Sequence, residues 1–279
     1  MLPAMVAMAA VVAYPLVRVI WLSFRSATLF SIGPATSENY RVLFQDSTFW
    51  EALRNTAVWT GSTTVAEAAL GLVAALIANA TFPGRDAVRG AILFPYMLPK
   101  VIVAMVWMFM FNDIFGVANH LLLAAGLIQE PVSWFSRPET AMAGVAIVGI
   151  WKFFPFCFIS ILAGLQTIPQ ELYEAARVDG ASKWREFTSI TLPSIAPVVV
   201  MVLLVRAIWN YNEFDLIYLI TKGGPLGSTT TLPLLSYQQA YSYYDIGTAA
   251  ATGVLMLLML GSFAAVMVLF YQWVERRFQ

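Results

Sequence analysis

The stretch IPQELYEAARVDGASKWREFTSITLPSIAP, residues 168–197, decides how this chain is read. Pro169 suits the first turn of a helix, where its missing N–H leaves no bond unmade. Glu171 and Glu174 then lie near the positive N-terminal end of that helix. Ala175 and Ala176 favour helix and carry almost no side chain, so a partner surface can come close. Asp179-Gly180 predicts the stop, because glycine takes the left-handed conformation that ends a helix. Ser182 predicts the cap of a second short helix through Phe187, and Pro193 and Pro197 fix the start of the next apolar run. Residues 167–193 thus read as a helix–turn–helix with Tyr173, Val178, Trp184 and Phe187 on an apolar side. Local chemistry leaves two readings of that side: a helix lying on lipid headgroups, or an element that docks on a partner.

The surroundings are a membrane protein's. Of 279 residues, 59% are hydrophobic and only 11% charged, where a soluble domain carries about a quarter. Apolar runs of spanning length fall at roughly 2–24, 54–80, 88–111, 139–166, 194–220 and 247–273. The fold class expected is all-α integral membrane with six transmembrane helices in a single domain over 1–279. Leu2 to Phe24 lacks a basic n-region and is too long for a signal peptide, so it reads as the first span. Basic residues are densest at Arg85 and Arg89, at Arg177, Lys183 and Arg185, and at Arg276 and Arg277. That places the 82–88 turn, the 167–193 loop and the C-terminus in the cytoplasm. The outer loops at 25–53, 112–138 and 221–246 carry the Trp, Tyr and Phe of an interfacial belt. In the last span, Thr248/Thr252, Ala249/Gly253 and Gly261/Ala265 are spaced for close helix packing. Sixteen basic residues balance sixteen acidic ones, so nothing suggests a nucleic-acid partner. One cysteine, Cys157, and one histidine, His120, provide neither a disulfide framework nor a Cys/His metal cluster.

Glu174-Ala175-Ala176, Asp179-Gly180-Ala181, Phe187, Ile190, Leu192-Pro193 and Pro197 resemble the EAA loop of permeases in ATP-binding-cassette importers. That loop is the family's coupling helix, which sits in a groove of a cytoplasmic ATPase. Further stretches resemble the sugar branch, closest to the maltose- and glycerol-phosphate-type subunits. They are Leu2-Pro3 through Tyr14-Pro15, Leu22-Ser23-Phe24, Asn39-Tyr40, Phe49-Trp50 and Asn55-Thr56. Phe94-Pro95, Pro99, Trp107 and Gly116-Val117-Ala118-Asn119 follow, then Thr221-Lys222-Gly223-Gly224-Pro225, Ser228-Thr229 and Tyr244-Asp245-Ile246-Gly247. Two departures are the absence of a basic segment ahead of the first span and Lys100, where a small or apolar residue is expected.

The resemblance implies a type I importer permease in a bacterial inner membrane. Its partners would be a second homologous permease subunit, two ABC ATPase subunits, an extracytoplasmic sugar-binding protein and membrane lipid. It implies no cofactor in this chain, with ATP and Mg bound by the ATPase, and Glu174, Ala175, Ala176, Asp179, Gly180 and Ala181 as coupling residues. No Gly-x-x-x-x-Gly-Lys-Ser/Thr loop occurs, and no nucleophile–base–orienter set or metal site stands out, so a catalytic role is not expected.

Ionisable residues inside spans are costly and mark function or partners. Glu67, Lys100, Lys152 and Arg206 qualify, with Lys152 and Arg206 expected to pair with carboxylates and Glu67 to serve as a structural hydrogen-bond partner. The densest polar segment is Trp209-Asn210-Tyr211-Asn212-Glu213-Phe214-Asp215. Its aromatics suit stacking on a sugar ring and its amides and carboxylates suit hydroxyls. Trp209, Asn210, Tyr211, Asn212, Glu213 and Asp215 are therefore the expected lining of a substrate pathway; the alternative is that these groups satisfy one another. The rival functions are an importer permease for a non-sugar solute and an ion-coupled secondary transporter.

Overall fold

The computed structural model describes residues 8–278, with the side chains of 277 and 278 outside the described set. Leu2, Pro3 and the side chain of Arg277, which entered the reading above, lie outside the described residues. A π-helical turn at Ala9–Ala13 leads into α1, Tyr14–Ser23, and then into a two-stranded antiparallel hairpin, β1 Arg25–Ala27 and β2 Ile32–Ala35. This small ribbon is an exception to the all-α expectation. α2, Glu38–Gln45, is tied beneath it: Asn39 Nδ2 donates to the Ser23 and Arg25 carbonyls at 2.8 and 2.9 Å.

α3, Ser47–Asn79, starts where the Asp46 carboxylate accepts the Thr48 N–H at 2.9 Å. It pairs closely with α7, Pro138–Leu165. A Cβ built on Gly71 meets the Cys157 Cβ at 2.5 Å and the Phe158 nitrogen at 2.8 Å, so only glycine permits this backbone approach. Cys157 is fully buried at that crossing and acts as a packing residue. Trp59 fits against Gly149 in the same way.

The third expected span, 88–111, is not one helix. α4, Arg85–Met97, and α5, Lys100–Met110, meet at a bend of 97°. Pro95 and Pro99 cause it, since Pro99 has no N–H to return to the Pro95 carbonyl and so leaves the ladder broken. α6, Val117–Ala124, lies in the following loop, where Asn119 bonds Val132 through both its amide atoms and accepts from Trp134 Nε1.

Within the 167–193 segment, α8 is Gln170–Val178 and α9 is Lys183–Glu186. The expected separate second helix runs on through a π-helical turn, Phe187–Thr191, into α10, Leu192–Tyr211, forming one helical run Lys183–Tyr211. The fifth span therefore begins earlier and ends earlier than 194–220. After a break at 212–214 come α11, Asp215–Thr221, and then α12, Leu232–Tyr241, a helix that the reading of 221–246 as a loop missed. α13, Ile246–Phe278, closes the bundle. Its Thr248, Ala249 and Thr252 are buried, whereas Gly261 and Ala265 are exposed, so only the outer small residues pack within the chain.

Among the described residues, four helical runs are long and apolar enough to cross a membrane: Ser47–Asn79, Pro138–Leu165, Lys183–Tyr211 and Ile246–Arg276. The bent α4–α5 pair makes a fifth, and Ala9–Ser23 is a shorter apolar helix where the first span was expected.

Candidate translocation site

Two interrupted helices meet at the polar centre. Where α4 ends, the Pro95 carbonyl keeps only a 3.4 Å bond from the Leu98 N–H, the Tyr96 and Leu98 carbonyls lose their helical partners, and inside a bilayer no water replaces what is lost. The buried Lys152, on α7, donates to all three: Pro95 at 3.1 Å, Tyr96 at 2.8 Å and Leu98 at 2.6 Å. A cation at a helix C-terminus also opposes the negative end of the dipole. Lys152 is thus a cap on a broken helix and not the partner of a carboxylate that the sequence suggested.

Lys100 opens α5, where the positive end of the helix disfavours a cation. Two acids from the second break offset it. Lys100 Nζ reaches both Glu213 oxygens at 2.9 and 3.0 Å and Asp215 Oδ2 at 2.8 Å. Glu213 Oε1 also accepts the Leu216 N–H at 3.0 Å, filling an open position at the start of α11. One ammonium therefore ties the two helix breaks together.

Beside this lies a sealed network. Arg206 grips Glu67 with two bonds of 2.6 and 3.1 Å, and both side chains are almost completely buried. Arg206 also donates to Asn210 Oδ1 at 2.7 Å, and Asn210 Nδ2 donates to Thr64 and Glu67. The Phe153 ring stands among the cations, 4.7 Å from the Arg206 guanidinium and about 6 Å from the Lys100 and Lys152 ammonium groups.

The six residues expected to line a pathway divide three ways. Asn210 belongs to the Arg206–Glu67 network and is buried. Tyr211 and Asn212 point the other way: the Tyr211 hydroxyl bonds the Met256 carbonyl, and Asn212 borders a groove between α1 and α13. Trp209 and Asp215 lie on the open side, with Glu213 buried just behind them against Lys100. Trp209 is 45% exposed and packs on Phe156 at 4.8 Å, which in turn meets Tyr96 at 6.3 Å. Helical periodicity explains only part of the split: 209 and 210 share the face of Arg206, which 211 does not, and the break at 212–214 sets the direction of the rest. The sequence reading had no account of Lys100 and gave Lys152 another role. The signal that finds both is the Pro95/Pro99 interruption, because a broken span must re-satisfy its freed carbonyls.

The 167–193 loop is largely exposed. No residue of α8 is buried, and Leu172, Val178 and Trp184 are large apolar side chains left open. Glu174, Ala175, Asp179 and Gly180 are exposed, while Ala176 and Ala181 are half-buried. Gly180 takes φ +78°, with Ala181 N–H returning to the Ala176 carbonyl at 2.9 Å and Gly180 N–H to Arg177 at 3.1 Å. This pair of bonds is the Schellman closure of a helix end. Arg177 and Lys183 clamp the buried Glu186 at 3.1 and 3.0 Å, and Tyr173 bonds Thr191 at 2.9 Å. α8 is thereby fastened to the helical run that becomes α10. Above it a groove of about 650 Å³ is lined by Asn79, Gln166, Tyr173 and Phe187.

A bundle of membrane-crossing helices with a broken-helix polar centre and an exposed 167–193 loop is an architecture suited to a transport permease. Residues 68–279 match the family described as the binding-protein-dependent transport system inner membrane component, and the chain belongs to that family. It is similar to the sulfoquinovosyl glycerol transport system permease protein of Agrobacterium fabrum, at 39% identity over 92% of this chain and 84% of that one. It is 36% identical to the trehalose/maltose transport system permease protein of Thermococcus litoralis, over 95% of this chain and 90% of that one. Among solved structures, a chain of a bacterial ABC transporter involved in import of the acidic polysaccharide alginate superposes with a TM-score of 0.82 at 27% identity, covering 99% of this chain and 93% of its own. The protein is thus a multi-pass permease of the inner membrane.

Proposed function

We propose that this chain is the membrane subunit of an ATP-driven importer and carries a sugar delivered by an extracytoplasmic binding protein. The observation that carries this reading is the open face at the two helix breaks, where Asp215 is 60% and Lys100 34% exposed. Ionised side chains do not face hydrocarbon, so this side borders water or a partner. Much of the remaining open surface of the long spans is apolar, as at Val65, Val73, Ile77, Leu258, Val266 and Leu269, although Arg18 on α1 is also exposed. Lys100, Glu213, Asp215 and Trp209 are assigned to the path, with a second, homologous permease facing them. Asn210 supports them from the buried network. The sugar assignment draws support from the relatives named for sulfoquinovosyl glycerol and trehalose/maltose transport.

In this reading α8 seats in an ATPase subunit, one of two, and Glu174, Ala175, Ala176, Asp179, Gly180 and Ala181 form the contact. ATP and Mg are held by that partner and this chain contributes no cofactor. The Glu186 clamp passes the movement of α8 into α10 and so to the break at 212–214. The test is ATP hydrolysis by the complex that copurifies with this chain, reconstituted in lipid with its binding protein and a panel of sugars. Stimulation by a sugar is expected. Stimulation by a different solute alone would redirect the substrate, and uptake that ignores vanadate but collapses with an ion gradient would establish an ion-coupled carrier.

A further inference from the structure

Beyond the break at 212–214 lies a run of aromatic rings that neither the coupling loop nor the ion pairs use. Phe214 stacks on Tyr218 with centroids 5.1 Å apart and planes 16° apart. Both rings contact Tyr237 of α12, at 5.0 and 5.5 Å, and Tyr237 contacts Tyr241 at 5.0 Å. At one end of this run, Phe214 adjoins Asp215, whose carboxylate is held by Lys100. At the other, Tyr241 is 62% exposed and sits four residues before Asp245, which bridges the outer hairpin at Thr28. The rings therefore lead from the outer surface to the polar centre.

Their placement argues against a purely structural role. Phe214, Tyr218 and Tyr237 pack one side against the core around Leu216 and Ile217 but remain only partly buried. On α11, Asp215 and Tyr218 at i and i+3 lie on the side away from the buried Leu216, Ile217 and Ile220, and the exposed Lys222 caps the end of the helix. A side that sets ionised groups beside a phenol ring is unsuited to lipid. It suits a pyranose, whose C–H faces stack on aromatic rings while its hydroxyls bond carboxylate oxygens.

We infer that Phe214, Tyr218, Tyr237 and Tyr241 form a stacking track that receives the sugar rings at the outer surface and conducts them to Lys100 and Asp215. The inference rests on the sugar reading above. Each ring offers the moving sugar one face, and close spacing lets the next contact form as the last one breaks, so no single site binds tightly enough to trap it.

The test uses the whole complex in proteoliposomes, with its binding protein and labelled maltose, trehalose, sulfoquinovosyl glycerol and alginate oligosaccharides. For whichever sugar the wild type takes up, Tyr237→Leu and Tyr241→Leu should each lower uptake at sub-saturating sugar by about three- to tenfold, the worth of one ring contact. ATP hydrolysis stimulated by the loaded binding protein should persist in both. Tyr237→Phe keeps the ring and should stay within about twofold of wild type on the same scale. Wild-type uptake in the leucine variants would overturn the track while leaving the sugar reading intact. Loss in Tyr237→Phe equal to that in Tyr237→Leu would reduce Tyr237 to a structural hydrogen bond and also overturn it. A wild type that takes up none of these sugars would remove the sugar reading and the track together.

Discussion

Replacing Gly180 by valine should uncouple ATP hydrolysis from uptake without unfolding the protein. At φ +78° an L-residue costs about 1–2 kcal/mol, most for a β-branched one. No atom lies within 4 Å of a Cβ built there, so the penalty is the backbone's alone and no neighbour need move. Opposing it are the two bonds that close α8, Ala181 to Ala176 and Gly180 to Arg177, each worth about 0.5–1.5 kcal/mol and less where water competes. The two sides are equal in size, so valine should open the last turn of α8 in a large share of molecules. Because α8 buries nothing, the bundle should be unaffected. Asparagine tolerates the left-handed region and should stay near wild type, with alanine between. The assay is the ratio of sugar molecules imported to ATP hydrolysed in proteoliposomes, measured across Gly, Asn, Ala and Val. The expected order is Gly, Asn, Ala, Val, with valine reduced by about twofold, since two opposing terms of equal size leave about half of the molecules open. A valine variant with a normal ratio, or an asparagine variant as poor as valine, would refute the reasoning.

Two further outcomes follow from the buried charges. Glu67→Ala leaves Arg206 uncompensated and should destabilise the complex by about 3–5 kcal/mol, whereas Glu67→Met with Arg206→Met should recover most of the loss. Thermal unfolding of the purified complex checks this, and equal losses in the single and double variants would count against an ion pair that matters. Lys152→Met uncovers the Pro95, Tyr96 and Leu98 carbonyls, at about 1–3 kcal/mol for each acceptor left unmade, whereas Lys152→Arg retains donors and should be tolerated. Wild-type melting and uptake in Lys152→Met would show that the break needs no cap.

The motif residues of the sequence turn out to have local physical work as well as a family resemblance. Asn55 donates to the Gly227 and Thr230 carbonyls at 3.1 Å, and Thr56 accepts the Leu232 N–H at 2.8 Å. This pins the Gly- and Thr-rich 222–231 loop to the second span. Gly247 is required because a Cβ there would meet the Arg25 carbonyl at 2.5 Å. Such contacts join segments far apart in the chain, so a sequence shows that the residues are unusual without showing what they touch.

What the sequence determined alone is what depends on solvent and on neighbours within a few residues. Hydropathy demanded a bilayer, and Pro169, Gly180 and Ser182 laid out the start of the 167–193 helix–turn–helix by local backbone preference. What only the tertiary structure decided is which charges meet. Lys100 and Glu213 are 113 residues apart and Arg206 and Glu67 are 139 apart, so no spacing rule connects them. The prolines at 95 and 99 announced a break, but only the fold brings Lys152 to its carbonyls. The run from Trp209 to Asp215 looked like one polar lining because it is contiguous. A helix turns 100° at each residue, and its break at 212 turns the chain again, so these neighbours face the core, α13 and the open path in turn.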